Sequence, residues 1–154
     1  MKEKQEGGKI QMTYYIGTDH AGFKLKAFVI AFLQERGFKV VDFAPQNEER
    51  VDYPDYAKKV CEAIDSQFCR GILICGSGIG MSIAANRFKH IRAALCTDAY
   101  MAKMARAHND ANVLCMGERI SGIGEVESIL EAFISSDFEG GRHLKRVEKL
   151  NNLS

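Results

Sequence analysis

The 154-residue sequence predicts an α/β fold: a Rossmann-like, three-layer α/β/α sandwich around a five-stranded parallel sheet. Two observations favour this architecture. Short apolar runs of strand length alternate with segments of helical periodicity, which indicates a parallel sheet whose strands are joined by helices. The run at residues 72–74 is apolar at every position, as is typical of a strand buried on both faces. Right-handed crossovers would then place helices on both sides of the sheet.

The predicted strands are separated by helices whose apolar residues recur every three to four positions. The strands span residues 14–17, 39–43, 72–75, 93–96 and 112–116. The first helix stops at Gly37, and its apolar stripe is Leu25, Phe28, Val29, Phe32 and Leu33. The second begins near Pro54, which is favourable in a first turn, and its inner face is Tyr56, Ala57, Val60 and Ile64.

Four further helices follow from the same periodicity. Two of them cover about residues 81–88 and 98–107, after the third and fourth strands. The next carries the stripe Val126, Ile129, Leu130, Phe133 and Ile134. The last, at about residues 142–153, follows the Gly140–Gly141 break. Its inner face contains Leu144, Val147 and Leu150, so it packs on its own domain or on a second subunit, and we expect the partner subunit.

Length and composition limit the number of domains and the kinds of partner that the protein can have. We expect one domain at residues 12–154 behind a flexible tail at residues 1–11, with Met12 as a candidate start. A net charge of +1 gives no electrostatic reason for a nucleic-acid or membrane partner. The sequence has no apolar run long enough to span a bilayer and no signal-peptide core, so we expect a cytoplasmic location. The five cysteines lack CxxC spacing, which predicts free thiols in a reducing compartment and neither disulfides nor a metal site.

The segment at residues 72–80, I-L-I-C-G-S-G-I-G, is the most informative in the chain. A strand, a glycine-rich turn and a helix in this order form a backbone cradle for an anion. Cys75 lies at the junction, where a thiol is expected to gain thiolate character from the helix N-terminus. The turn matches neither GxGxxG after the first strand nor a GK[ST] ending, which argues against nucleotide binding. It therefore offers an oxyanion site next to a candidate base.

Polar residues gather near the ends of the predicted strands. They are Thr18, Asp19, His20, Cys75, Ser77, Thr97, Asp98, His108, Asn109, Asp110 and Arg119. Ligands of such sheets bind at the carboxyl ends of strands near a topological switch point, so we expect these residues to form one site. Each also has a structural alternative. Asp19 could cap a helix, His108 could complement a helix dipole, and Cys75 could be a small apolar core residue.

Two arginines in the last predicted helix suggest an anionic ligand. Arg142 and Arg146 are four residues apart, so a helix places both on one side. A guanidinium binds a phosphate group through two parallel hydrogen bonds. The alternative is a solvated basic face without a ligand.

Five motifs in a fixed order identify a family. The chain resembles the ribose-5-phosphate isomerase B family, which includes galactose-6-phosphate and allose-6-phosphate isomerases, from about residue 14 to residue 150. The motifs are G-T-D-H-A-G-F-K-L-K from Gly17, D-Y-P-D-Y-A from Asp52, I-L-I-C-G-S-G-I-G-M-S-I-A-A-N from Ile72, H-N-D-A-N-V-L from His108 and E-G-G-R-H from Glu139. The resemblance implies a Rossmann-like fold without metal or cofactor, and a homodimer or dimer of dimers. The C-terminal arginines would then complete the site of the partner subunit.

The resemblance also implies residue roles. Cys75 would be the base that moves a proton between C1 and C2, and His108 would assist opening of the furanose ring. The hydroxyl of Ser77, where threonine is frequent in the family, would help the loop backbone to hold the enediolate oxygen. The sugar phosphate would be bound by Asp19, His20, Gly76, Ser77, Gly78, Gly80, Asn109, Arg119, Arg142 and Arg146.

The expected activity is the interconversion of D-ribose 5-phosphate and D-ribulose 5-phosphate through an enediolate, a step of pentose phosphate metabolism. The same chemistry on allose or galactose 6-phosphate is the alternative within the family. A non-catalytic sugar-phosphate sensor would not need both Cys75 and His108. A thiol redox protein would need a resolving cysteine, and Gly76 and Ser77 follow Cys75.

Overall fold

A five-stranded, all-parallel sheet forms the centre of the protein. The computed structural model describes residues 3–4 and 10–153. The sheet strands are β3 (Thr13–Thr18), β4 (Lys39–Asp42), β5 (Cys69–Cys75), β6 (Ala93–Leu95) and β7 (Val113–Gly117). Their spatial order is β4-β3-β5-β7-β6, and each neighbouring pair is parallel. The predicted fold class and all five predicted strands are confirmed.

Two very short strands precede this sheet. β1 (Glu3–Lys4) and β2 (Ile10–Gln11) pair in antiparallel fashion. The predicted flexible tail at residues 1–11 falls partly outside the described residues, so its flexibility stays a prediction.

Six helices connect and cover the strands. They are α1 (Phe23–Glu35), α2 (Tyr53–Ala63), α3 (Ile79–Ala85), α4 (Ala99–Asn109), α5 (Ile123–Ser135) and α6 (Arg142–Asn151). One hydrophobic core lies between the sheet and α1, α4 and α5, and the other lies between the sheet and α2 and α3. Because side chains alternate along β5, Ile72 and Ile74 enter the first core, while Leu73 and Cys75 enter the second. This arrangement makes the expected three-layer sandwich.

The predicted apolar stripes of α1, α2 and α5 are the faces that the cores bury, and Phe28, Tyr56 and Ile134 lie at their margins. Gly37 ends α1 with a φ angle of +84°, which explains its value as a stop signal. Two element boundaries differ from the sequence prediction. β5 begins at Cys69, and the helix after the glycine turn is Ile79–Ala85, since residues 87 and 88 close turns.

The inner face predicted for the last helix is corrected. His143 and Val147 of α6 are buried, whereas Leu144 and Leu150 are 50% and 46% exposed. Helix α6 packs on α4 of its own chain. Its inner side therefore packs on its own domain, while packing of its outer side, with the two exposed leucines, on a partner subunit stays a prediction.

All five cysteines lie in the described part of the chain, and each is a buried free thiol, as predicted. Within that part, no helix has the length and apolar character that a membrane span requires.

Candidate active site

The carboxyl ends of β3, β5 and β7 adjoin at one edge of the sheet. The chain turns from β3 toward β4 on one side and later enters β5 on the other, so the topological switch point lies between β3 and β5. The backbone N–H of Asp19, directly after β3, donates to the carbonyl oxygen of Ile74 at 3.2 Å. Asp19 and Cys75 therefore flank the switch point, where ligands of such sheets bind.

The turn after β3 presents a carboxylate and an imidazole. The Asp19 carboxylate is buried and accepts hydrogen bonds from the N–H groups of Ala21 at 2.9 Å and Gly22 at 3.1 Å. It therefore also shapes the entry to α1, as the structural alternative for Asp19 suggested. His20 accepts a hydrogen bond at Nδ1 from the N–H of Val51 at 3.3 Å. The neutral ring then carries its proton on Nε2, which can donate to a ligand.

The glycine loop surrounds the sulfur of Cys75 with backbone donors. The Cys75 Sγ accepts a hydrogen bond from the N–H of Gly78 at 3.2 Å, and this bond stabilises a thiolate. Gly78 has a φ angle of +81°, the left-handed conformation that glycine adopts without strain. The Ser77 Oγ accepts from the N–H of Ile79 at 3.2 Å, so its own hydrogen is available to a ligand. The N–H groups of Gly76, Ser77 and Gly80 donate to no other described residue.

Close packing against β7 fixes the path of this loop. A Cβ atom at Gly117 would lie 2.5 Å from the carbonyl carbon and 2.6 Å from the carbonyl oxygen of Ser77. A Cβ atom at Gly78 would lie 2.8 Å from the backbone carbon of Met116. Because both contacts are with backbone, neither position can accept a side chain unless the loop moves away.

Three of the other thiols, Cys61, Cys96 and Cys115, are much less suited to act as bases. Burial, with a smaller contribution from the nearby Glu62, raises the pKa of Cys61 to about 12. Burial likewise raises the pKa of Cys96 to about 12, with a smaller contribution from Asp98. The pKa of the fully buried Cys115 is also raised, chiefly by desolvation. These three thiols stay protonated at neutral pH.

Two residues directly after β7, Glu118 and Arg119, and one at the start of α2, Tyr53, complete this edge. Arg119 lies against the loop, because a Cβ atom at Gly76 would be 3.0 Å from its Nη1. Sequence reasoning gave no site role to Tyr53 or Glu118. The Tyr53 ring lies over Gly80, where an added Cβ would be 2.6 Å from the ring, and Glu118 Oε1 accepts from the N–H of Leu25 at 3.1 Å. The D-Y-P-D-Y-A motif was the available signal for Tyr53.

His108 and Asn109 lie at the opposite edge of the sheet in this chain. Helix α4 leaves the carboxyl end of β6 and returns the chain to the amino end of β7. Arg92, directly before β6, donates to the carbonyl oxygens of Asn109 at 3.1 Å and Asp110 at 3.0 Å. At about 3.3 Å per residue, β7 separates the two edges by roughly 15 Å. The expectation of a single cluster was wrong for these residues, because they precede β7 and do not follow it.

His108 belongs to a compact group of polar side chains at this amino edge. Its ring stacks on His143 with centroids 4.1 Å apart and an interplanar angle of 13°. Glu139 Oε1 lies 3.7 Å from the Nε2 of His108 and 3.5 Å from the Nε2 of His143. Burial lowers the pKa of His143, and the neighbouring His108 and Arg142 lower it further, while Glu139 opposes them. The buried ring is therefore neutral at pH 7.

The predicted phosphate ligands on α6 are exposed. Arg142 and Arg146 project from the helix, and within the described part of the chain neither guanidinium makes a hydrogen bond or a salt bridge. The first turn of α6 is held near the end of α4, because the N–H of Glu139 donates to the carbonyl oxygen of Ala107 at 3.0 Å. These arginines therefore lie with His108, away from Cys75.

The carboxyl-edge group is suited to one kind of reaction. A thiol beside several free N–H donors can remove a proton next to a carbonyl while the donors stabilise the resulting oxyanion. Asp98, by contrast, accepts from the N–H of Met101 at 2.8 Å and acts as the N-cap of α4. Thr18 is completely buried. These two residues near strand ends are structural.

Comparison with known proteins finds relatives that match nearly the whole chain. The family model for ribose/galactose isomerases matches residues 14–150. Ribose-5-phosphate isomerase B of Escherichia coli strain K12 is 47% identical over 135 residues, which cover 87% of this chain and 91% of that protein. The structure of Clostridium thermocellum ribose-5-phosphate isomerase B superposes with a TM-score of 0.89 at 49% identity, covering 92% of this chain and 97% of the other. The type B ribose 5-phosphate isomerase of Trypanosoma brucei gives a TM-score of 0.89 at 45% identity. The match covers 94% of this chain and 99% of the other.

Proposed function

Because the chain belongs to the ribose/galactose isomerase family, we propose that it interconverts D-ribose 5-phosphate and D-ribulose 5-phosphate. The observation that carries this proposal is the Cys75 thiol within the glycine loop, with its sulfur hydrogen-bonded to the N–H of Gly78. Relatives of nearly equal length that are named ribose-5-phosphate isomerase B support the same assignment.

In the proposed reaction, Cys75 acts as the base. The Cys75 thiolate removes the proton from C2 of the open-chain aldose, and the electron pair moves into the C1–C2 bond to give an enediolate. The thiol then returns this proton to C1, while a proton moves from O2 to O1 and the ketose forms. The N–H groups of Gly76, Ser77 and Gly80, with the Ser77 hydroxyl, can donate to the enediolate oxygen.

We propose that two subunits build each site. Within one chain, Cys75 and the pair His108 and Asn109 lie at opposite edges of the sheet. A ring-opening histidine must touch the sugar, so His108 has to act on a sugar bound at the partner's Cys75. A homodimer with two-fold symmetry brings each amino edge to the other carboxyl edge and creates two equal sites. A dimer of dimers would preserve the same pairing.

The phosphate binds among positive groups from both subunits in this arrangement. Arg142 and Arg146 project from α6 beside His108, so the partner would supply them together with His108 and Asn109. His20 and Arg119 approach from the carboxyl edge, where Asp19 holds the turn. Guanidinium groups suit a dianionic phosphate, because each forms two parallel hydrogen bonds. We also propose a cytoplasmic location, since five free thiols suit a reducing compartment.

A comparison of three substrates tests this function. We expect kcat/KM to be highest for ribose 5-phosphate, and at least about tenfold lower for allose 6-phosphate and galactose 6-phosphate, because the pocket must hold one more carbon. Preference for a six-carbon substrate would agree with the proposed isomerase chemistry but would replace ribose 5-phosphate as the proposed substrate. No turnover of any of the three would contradict the proposal.

Cysteine variants show whether the activity arises at the proposed base. Cys75→Ala is expected to lower kcat by about three orders of magnitude or more. Cys69→Ala is the matched control, because it deletes the same atom from a buried cysteine at the other end of β5. Turnover should survive in that variant. Near wild-type kcat in Cys75→Ala would exclude Cys75 as the base.

A further inference from the structure

Three metal-ligating side chains converge at the amino edge of the sheet. The side chains of His108, Glu139 and His143 each offer one donor atom, and these atoms lie within 4.8 Å of one another. Glu139 Oε1 is 3.7 Å from one imidazole Nε2 and 3.5 Å from the other. For bonds of about 2.0–2.1 Å to a tetrahedral zinc ion, neighbouring ligand atoms are about 3.3–3.4 Å apart. The distances from the carboxylate oxygen to both nitrogens are thus close to the spacing between two ligand atoms of one zinc ion.

A second observation points to a ligand at this place. The His143 side chain is 6% exposed, and its Nε2 is buried without a hydrogen-bond partner among the described residues. That nitrogen faces Glu139 at a distance too long for a hydrogen bond. A buried polar atom without a partner carries a free-energy cost, which a coordinated cation would remove.

From these observations we propose that His108, Glu139 and His143 form a binding site for one divalent transition-metal ion of the zinc type. Two imidazoles and a carboxylate suit Zn²⁺, Co²⁺ or Ni²⁺ better than Mg²⁺ or Ca²⁺, which prefer oxygen ligands. Three protein ligands leave a fourth position for water. The metal is not needed for catalysis. It inhibits, because it occupies the histidine that opens the sugar ring.

The stacked rings set a structural requirement for binding. An imidazole holds a metal in its own ring plane, and two rings at 13° to each other cannot both direct Nε2 at one ion midway between them. His143 is fixed by burial, whereas the side chain of His108 is 34% exposed, so a turn about its Cβ–Cγ bond meets less packing. Binding therefore turns His108 away from the stack and toward Glu139. The inhibition rests on the proposed function, but the site itself does not.

The absorption spectrum of bound Co²⁺ shows whether the metal site exists, whether or not the protein has isomerase activity. Metal-free protein is titrated with Co²⁺, and the visible absorption is followed. We expect the d–d bands of low-coordinate Co²⁺ with nitrogen and oxygen ligands, without a thiolate-to-cobalt charge-transfer band. Zn²⁺ should displace the cobalt, inhibit isomerisation of ribose 5-phosphate and be removed by EDTA with recovery of the rate. A protein without isomerase activity would still show the cobalt spectrum, so failure of the function and failure of the site are distinguishable.

Two variants and a control define the ligands. Glu139→Gln and His143→Phe should each weaken Co²⁺ binding and raise the inhibitory Zn²⁺ concentration by at least about tenfold, since loss of even an outer-shell partner costs that much. Glu139 is exposed, so its variant leaves the core intact, and Phe keeps the stacked ring without the nitrogen. His90→Gln removes a histidine that bonds the Cys61 carbonyl oxygen instead, and should change neither value. Unchanged binding in Glu139→Gln and His143→Phe, or a thiolate band in the wild type, would overturn the proposal.

Discussion

The groups around the Cys75 sulfur distinguish it from the other buried cysteines. Cys61, Cys96 and Cys115 are surrounded by apolar residues and have raised pKa values. Cys75 is also buried, but its sulfur accepts a hydrogen bond from a backbone N–H directly before α3. Burial removes competing water, and the donor stabilises the charged form. Cys69 is a fourth buried core cysteine, so the same residue type is a core residue at four places and a candidate base at one.

The role of His108 can be separated from that of Cys75 by the choice of substrate. In His108→Asn, we expect kcat/KM for ribose 5-phosphate to fall by about two to four orders of magnitude, because ring opening loses its acid–base group. Erythrose 4-phosphate carries its phosphate on O4 and cannot close a furanose ring. Its turnover, measured in the same assay, should fall by less than about tenfold.

An equal loss for both aldoses would show that His108 serves the structure of the site and not ring opening. His90→Gln provides the control, since His90 lies outside the proposed site and bonds the carbonyl oxygen of Cys61. Thermal unfolding followed by circular dichroism would show whether loss of the stack on His143 changes the stability of the fold.

At the scale of elements, the loop between β5 and α3 depends on a glycine of its own and on a glycine in a neighbouring strand. Gly78 belongs to the loop, but Gly117 ends β7, more than 30 residues later in the chain. The Gly117 Cα lies so close to the Ser77 backbone that only hydrogen fits between them. The position of the proposed oxyanion donors therefore depends on a neighbouring strand as well as on the loop sequence.

Adding one methyl group at Gly117 tests this dependence. Gly117→Ala should lower the free energy of unfolding by about 1–3 kcal/mol through overpacking. It should also lower kcat by about two orders of magnitude, because a displacement of about 1 Å misplaces the donors. Gly124→Ala is the matched control: no atom lies within 4 Å of the added Cβ, and the site is in α5. That variant should keep its kcat and gain up to about 1 kcal/mol of stability.

A loss of stability in Gly117→Ala with full kcat would show that Ser77 can shift without consequence for the reaction. Chemical denaturation and steady-state kinetics on both alanine variants would distinguish these outcomes.

Hydrophobic periodicity was sufficient to predict the strands and the buried faces of most helices. It failed for α6, where the polar residue His143 is buried and the apolar Leu144 and Leu150 remain half exposed. His143 is buried by a stack on another imidazole, and such a pair leaves no apolar pattern in the sequence. The packing of Gly117 on Ser77 was equally hidden, because it joins the end of one strand to the loop after another, far apart in the chain.

The location of His108 could have been derived from chain order alone. A helix between two parallel strands starts at the carboxyl edge and ends at the amino edge. His108 ends such a helix, so it had to lie opposite Cys75, which ends a strand. Motif content predicted which residues belong to the proposed site, but not that one chain holds them at two separate edges.

At the scale of the whole molecule, a single chain contains two incomplete halves of the proposed site. The carboxyl edge carries Asp19, Cys75 and Ser77, and the amino edge carries His108 and Arg142. About 15 Å of sheet keeps these halves apart within the chain. Only a partner subunit can then supply the missing half, so we expect that a separated monomer has no activity.

Mixed dimers test this arrangement directly. Cys75→Ala and Arg142→Ala subunits are each expected to be inactive as homodimers. If they are unfolded and refolded together in equal amounts, half of the dimers are mixed, and each mixed dimer contains one intact site. Activity should therefore return to about a quarter of the wild-type value.

The control mixes Cys75→Ala with Asp19→Asn, which change the same half of the site. In those mixed dimers each site keeps one damaged carboxyl edge, so no activity should return. Equal recovery in both mixtures would contradict the proposed assembly, because variants of the same edge cannot build an intact site together. If instead neither mixture recovers, although native mass spectrometry detects mixed dimers, Arg142 acts within its own chain. The proposed assembly requires recovery in the first mixture and none in the second, because only residues from opposite edges can complement each other across a two-fold axis.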